Sequence, residues 1–117
     1  MNTKSPHKTI TLNFTTLKIY EHFIVSTIKE GVLFDAPQLD QLQDIFTIYF
    51  ADRQNDYTVN PVCYTNSNAI ENMVGMAVLC YSEANYKTAN FTKPFFRKPL
   101  EAFSTFEACK NWIEDLL

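Results

Sequence analysis

The run Val74-Gly75-Met76-Ala77-Val78-Leu79-Cys80 contains no polar side chain until its closing thiol. A strand wet on one face alternates apolar and polar residues, whereas a strand covered on both faces reads as a continuous apolar run. The run is too short for a membrane span, and Glu71-Asn72 and Ser82-Glu83 bound it. It predicts the central strand of a sheet with helices on both faces. At 117 residues, the chain is long enough to bury one such core without disulfides or metal.

Composition removes several functions. Only two glycines are present, which argues against a glycine-lined phosphate cradle. A net charge of -3 gives no general attraction to nucleic acid or anionic lipid. Cys63, Cys80 and Cys109 are far apart and sit among apolar neighbours, so they read as reduced, buried thiols of a cytoplasmic protein. No apolar segment reaches the length of a membrane span, and Met1–Ile10 has no signal-type apolar core.

Met1–Thr9 reads as a flexible N-terminus and residues 10–117 as a single domain. Ile10–Tyr20 alternates, Glu21-His22 interrupts, and Phe23–Ile28 resumes a β-branched run, which predicts an antiparallel hairpin ending at Gly31. Asp35 caps a helix with Pro37 in its first turn and Gln38 at the capping-box position. Leu39, Leu42, Ile45, Phe46, Tyr49 and Phe50 follow at helical spacing and carry that helix to about Ala51. The polar stretch Asp52–Asp56 and the short Tyr57-Thr58-Val59 come next. A weakly helical stretch from Pro61 to Met73 follows, with Val62, Ala69, Ile70 and Met73 as packing residues. Ser82 caps a helix running towards Phe91 and limited by Pro94. Residues 97–103 form an edge strand that tolerates Pro99, and Ser104-Thr105-Phe106-Glu107 is a capping box for a closing helix. Phe106, Cys109, Trp112, Ile113, Leu116 and Leu117 lie on one side of that helix. The expected fold is α/β: a mixed sheet with an N-terminal β-hairpin and about four helices.

No H-E-x-x-H, G-x-S-x-G or P-loop spacing occurs, and His7 and His22 fall in the tail and a turn. No catalytic residue, metal or cofactor is expected, and the chain is read as a non-enzyme. Two segments are candidates for binding a ligand or partner. Asn55, Asp56 and Tyr57 lie in a loop at a strand-to-helix junction, a place that holds ligands; the bland alternative is turn chemistry with Tyr57 packed as a lid. Lys93, Phe96 and Arg97 belong to a stretch that interleaves aromatic and basic residues. That pattern suits a partner surface, or else phenylalanines in the core rimmed by cations.

Asn55-Asp56-Tyr57-Thr58-Val59-Asn60-Pro61 resembles the N-x-Y-[ST]-V-x-P signature of small STAS/SEC14-like (SpoIIAA-like) proteins of Bacteroidetes-type bacteria. The hairpin ending Lys29-Glu30-Gly31, the strand Gly75–Leu79, and Lys93–Leu100 followed by Phe103 are similar to that group as well. The resemblance implies a non-enzymatic regulatory domain whose partner is another protein or a second copy of the chain. The alternative it implies is a small carrier of an apolar or lipid-like ligand. Neither nucleic acid nor an integral membrane segment belongs to either expectation. Relatives of this kind carry an apolar strand of roughly the F-x-Y-I-S-x-R type before the N-x-Y segment. With the first helix drawn to Ala51, no such strand remains, so either it has been deleted or residues are missing near Gln54–Asn55. We expect the second, since losing an inner strand would leave backbone unpaired along the sheet. The phosphorylatable Ser or Thr of sporulation-type STAS antagonists has no counterpart in a D-S-type motif among Tyr57, Thr58, Thr65 and Ser67.

Overall fold

The computed structural model describes residues 6–42, 48–65 and 73–116. Six strands form one sheet: β1 (Lys8–Thr11), β2 (Thr15–Ile19), β3 (Ile24–Ile28), β5 (Ile48–Asp52), β7 (Gly75–Leu79) and β8 (Leu100–Phe103), in that spatial order. Strands β1, β2 and β3 are antiparallel, and β3, β5, β7 and β8 run parallel. A small parallel ladder of β4 (Leu33–Phe34) and β6 (Thr58–Val59) stands apart. Among the described residues the helices are α1 (Ala36–Gln41), α2 (Glu83–Thr92) and α3 (Phe106–Leu116), with 3-10 turns at Pro61–Tyr64 and Lys93–Phe95. The expected mixed α/β sheet is what forms.

Every residue of β7 is buried, Val78 and Leu79 among them, and β5 and β8 flank it. The central run was legible because the side chains of Met76 to Cys80 meet a protein layer, although Val74, ahead of the strand, is 43% exposed. Alternation splits it: Met76 and Val78 enter one core with Leu39, Leu42, Ala89 and Leu100, while Ala77 and Leu79 enter the other with Phe50, Cys109 and Ile113. Helices α1 and α2 contribute to the first core and α3 to the second.

The missing strand is present, and it is β5. The apolar spacing from Leu39 to Phe50 mimics a helix, but α1 stops at Gln41, with Leu42 as its C-cap. Leu39 and Leu42 pack in the first core whereas Phe50 packs in the second, across the sheet, so one helix face cannot hold all three. Ile45 and Phe46 fall outside the described residues, as does the side chain of Tyr49. Ile48-Tyr49-Phe50 is a β-branched and aromatic run, suited to a pleated surface, and it pairs with β3 on one edge and β7 on the other. The residues expected to be missing near Gln54–Asn55 are not, and no deletion needs invoking: β5 leads through Arg53 and Gln54 straight into the Asn55 segment, and the Arg53 N–H donates to the Leu79 carbonyl at 3.1 Å.

Three smaller expectations also shift. The first hairpin is a three-stranded meander: Leu12–Phe14 turns the chain between β1 and β2, and β1 takes in Lys8 and Thr9. Val62 is 55% exposed instead of packed, lying in the 3-10 turn Pro61–Tyr64; Ala69 and Ile70 lie outside the described residues. Helix α3 starts at Phe106, one residue later than the Ser104 capping box requires. The cap is therefore Thr105, whose Oγ1 accepts from the Ala108 N–H at 3.1 Å, while Ser104 is exposed. The Asp35 capping box forms as expected, with Gln38 Oε1 accepting from the Asp35 N–H at 3.0 Å.

Thr105→Ala should cost about 1 kcal/mol of stability, and Ser104→Ala should stay within about 0.5 kcal/mol of the wild type. Ile113 is fully buried against β7, so Ile113→Ala should cost about 2–5 kcal/mol. Urea unfolding midpoints of the three variants check the order Ile113, Thr105, Ser104.

Candidate functional site

The carboxyl ends of parallel strands are where α/β sheets present side chains to ligands. At the end of β5 the two-residue period of a strand sends Asp52 and Arg53 to opposite faces. Asp52 is fully engaged on its side. Its carboxylate accepts from Tyr81 Oη at 2.7 Å, Thr27 Oγ1 at 3.1 Å and Gln54 Nε2 at 3.0 Å. Burial and the bond to Asp52 raise the Tyr81 phenol above its ordinary range.

Arg53 has no such partners among the described residues. The residue is only 9% exposed, and its guanidinium carbon sits 4.3 Å from the centre of the Tyr57 ring. Among the described residues its buried Nε–H has no hydrogen-bond partner. Burial pushes the Tyr57 phenol up to about 12, against the pull of the Arg53 charge, so Tyr57 is a neutral ring beneath the cation. Both residues line a cavity of ≈ 20 Å³, walled by Ile28, Phe34, Val78 and Leu100, with Thr92 also facing it. The Thr92 hydroxyl donates to the Thr88 carbonyl at 2.9 Å.

The thiols offer no nucleophile at neutral pH. Burial pushes Cys63 up to about 11, with Asp35 adding to it, and Cys109 up to about 12; Cys80 is raised by burial too. Among the described residues, no group of three or more His, Cys, Asp and Glu side chains could hold a metal ion.

No family model matches the chain, and no curated protein matches it. Among solved structures it is similar to an uncharacterised protein of the DUF3478 family from Shewanella loihica PV-4, described as having a SpoIIAA-like fold. The two superpose with a TM-score of 0.59 over 89% of this chain and 98% of the other, at 8% sequence identity. This chain has a SpoIIAA-like fold. Identity at that level speaks for architecture alone, so the site must be read from its own residues.

On this SpoIIAA-like frame the six expected binding residues fall into two places. Asn55 Nδ2 donates to the Ile28 carbonyl at 3.0 Å, tying the loop to the end of β3. Asp56 is exposed; its N–H donates to Glu30 Oε1 at 3.1 Å and its carbonyl accepts from the Gly31 N–H at 2.7 Å. Gly31 takes φ 77 there, a left-handed turn that glycine adopts without strain. Tyr57 alone of the three reaches the cavity. Lys93 forms an ion pair with Glu101, and Arg97 Nη1 donates to the Thr65 carbonyl at 3.5 Å. Phe96 is buried, edge-on to Tyr64 at 5.4 Å between ring centres, so the structure gives it to the core and not to a surface. Arg53, the central cation, is not among the residues the sequence singles out, because the helical spacing of Leu39 to Phe50 hides the strand that delivers it. As for a phospho-acceptor, Thr65 Oγ1 donates to the Val62 carbonyl at 2.8 Å, Thr58 is exposed in β6, and Ser67 lies outside the described residues.

Tyr57 and Cys63 keep their protons in the folded chain at pH values where the unfolded chain has lost them. Their stabilising contribution is therefore complete below the unfolded values of 9.0 for Cys63 and 10.0 for Tyr57, and is lost as pH rises through about 11 and about 12. Urea midpoints should fall steadily above pH 9, and Tyr57→Phe should flatten the fall above pH 10. A midpoint independent of pH across this range would contradict the burial of both groups.

Proposed function

We propose that this chain is a non-enzymatic interaction domain that docks on another protein through the carboxyl-terminal end of α2. The observation that supports this most is Phe91. It is 64% exposed, and its ring rests on Phe95 at 5.8 Å between centres. An aromatic pair held outside the core in fixed geometry is the kind of anchor that carries binding energy in protein interfaces. The outer surface of α2 around it is polar, with Glu83, Lys87 and Asn90 exposed, which suits a small apolar contact with a polar rim.

The carrier alternative has less behind it. Sites for drug-sized or lipid-like ligands enclose about 300–1,000 Å³, against the ≈ 20 Å³ found beside Arg53. No helix among the described residues is long and apolar enough to cross a membrane. Free, protonated thiols fit a reducing compartment, and we assign the chain to the cytoplasm on that ground.

Affinity capture with wild type and Phe91→Ser tests the proposal. Phe91 is on the surface, so Phe91→Ser should leave the unfolding midpoint within about 0.5 kcal/mol of wild type while losing a protein that the wild type retains. Identical capture by the two, with both folded, would reject docking through this face. Enrichment only of further copies of the chain would make the partner a second copy.

A further inference from the structure

We infer that the cavity beside Arg53 is a receptor for the carboxylate of a small, singly charged organic acid. Three observations carry this independently of the docking proposal. First, arginine keeps its charge at any physiological pH, yet among the described residues Arg53 is buried with no carboxylate on it. The adjacent Asp52 points to the other face, and its oxygens are taken by Tyr81, Thr27 and Gln54. An unpaired buried charge is among the costliest arrangements in a protein interior, and the Tyr57 ring answers it on one side only. Second, the Nε–H is enclosed and, among the described residues, unbonded. With the neighbouring Nη–H it makes one edge of the guanidinium fork, a geometry matched by the two oxygens of a carboxylate. Third, the cavity at which both residues sit has the room of a water-sized group, ≈ 20 Å³, so it admits an acid's head and little more.

The lining selects the charge and character of the ligand. Arg53 is the single cation in it; Lys93 pairs with Glu101 and neither lines the cavity. A doubly charged phosphate would therefore carry one charge uncompensated in apolar surroundings, whereas a carboxylate would be neutralised. Ile28, Val78 and Leu100 surround that head with hydrocarbon and offer no hydrogen bond from their side chains. Thr92, at the last turn of α2, donates its hydroxyl hydrogen to the Thr88 carbonyl and has none left to offer a further anion.

The test uses the purified chain, titrated with acetate, butyrate, chloride or inorganic phosphate at matched ionic strength. The thermal midpoint and the Nε–H resonance of Arg53 are followed together. The chain has two arginines, at 53 and 97, so Arg97→Lys leaves one Nε–H signal and assigns it. Acetate and butyrate should raise the midpoint saturably and move the Arg53 Nε–H resonance, while chloride and phosphate should do neither. Arg53→Met replaces the cation with an apolar side chain and should abolish the carboxylate-dependent rise. If that variant does not fold, the Nε–H shift in the Arg97→Lys background decides alone. No saturable response, the same midpoint rise in folded Arg53→Met, or an equal response to chloride or phosphate overturns the inference.

Discussion

The structure hangs on β5 having a neighbour along each edge and a packed layer on each face. Its backbone bonds to β3 and β7 join the antiparallel meander to the parallel half of the sheet. Its side chains join the two cores: Phe50 stacks on Phe23 and meets Phe106 on one face, and Ala51 makes room for the packing of the other. Both layers are rich in rings: Phe103 packs against Trp112 on the α3 side, and Phe14, Phe34, Tyr64 and Phe96 share the other core with aliphatic chains. The same alternation, continued for one step, puts the bonded carboxylate of Asp52 on the α3 side, and on the other side the Arg53 guanidinium, whose Nε–H has no partner among the described residues.

Much of this frame was legible in the residues. The unbroken Val74–Cys80 run announced a strand covered twice, and Asp35, Ser82 and the Phe106–Ile113 spacing marked three helices with their starts right or nearly so. The failure at β5 has a physical origin. Six apolar residues from Leu39 to Phe50 satisfy a helical repeat by coincidence, because α1 ends at Gln41 and a strand has begun by Ile48. Periodicity over the whole span could not register that Leu39 and Phe50 belong to different cores. Propensity was the better guide there, since Ile48-Tyr49-Phe50 favours a pleated surface. The site was less legible than the fold for the same reason: a buried arginine is recognisable only when the strand that buries it has been placed. Asn55 and Asp56, chosen for being polar in a loop, serve that loop's own backbone bonds.

Helix α2 places the two candidate surfaces within one turn of each other. Ala89 and Thr92 face the cavity, and Phe91 points away from it. A helix has no other way to serve an interior and an exterior at once, since successive residues turn by about 100° around its axis. Any group entering beside Arg53 presses on the inner side of the turn whose outer side carries the exposed ring.

The order of the sheet has a kinetic consequence. Along β1, β2, β3, β5, β7 and β8, each strand lies beside the strand of the same sheet that precedes it in the chain. The sheet can therefore grow outward from the meander by adding one strand at a time to a free edge, and no strand has to be threaded between two that are already paired. Loop closure is then met in instalments, first by tight turns and later by crossovers, so the entropy of ordering is never spent far ahead of the contacts that offset it. Assembly of the parallel half waits on β5, because until β5 docks on β3 the most apolar strand of the chain has no edge to join.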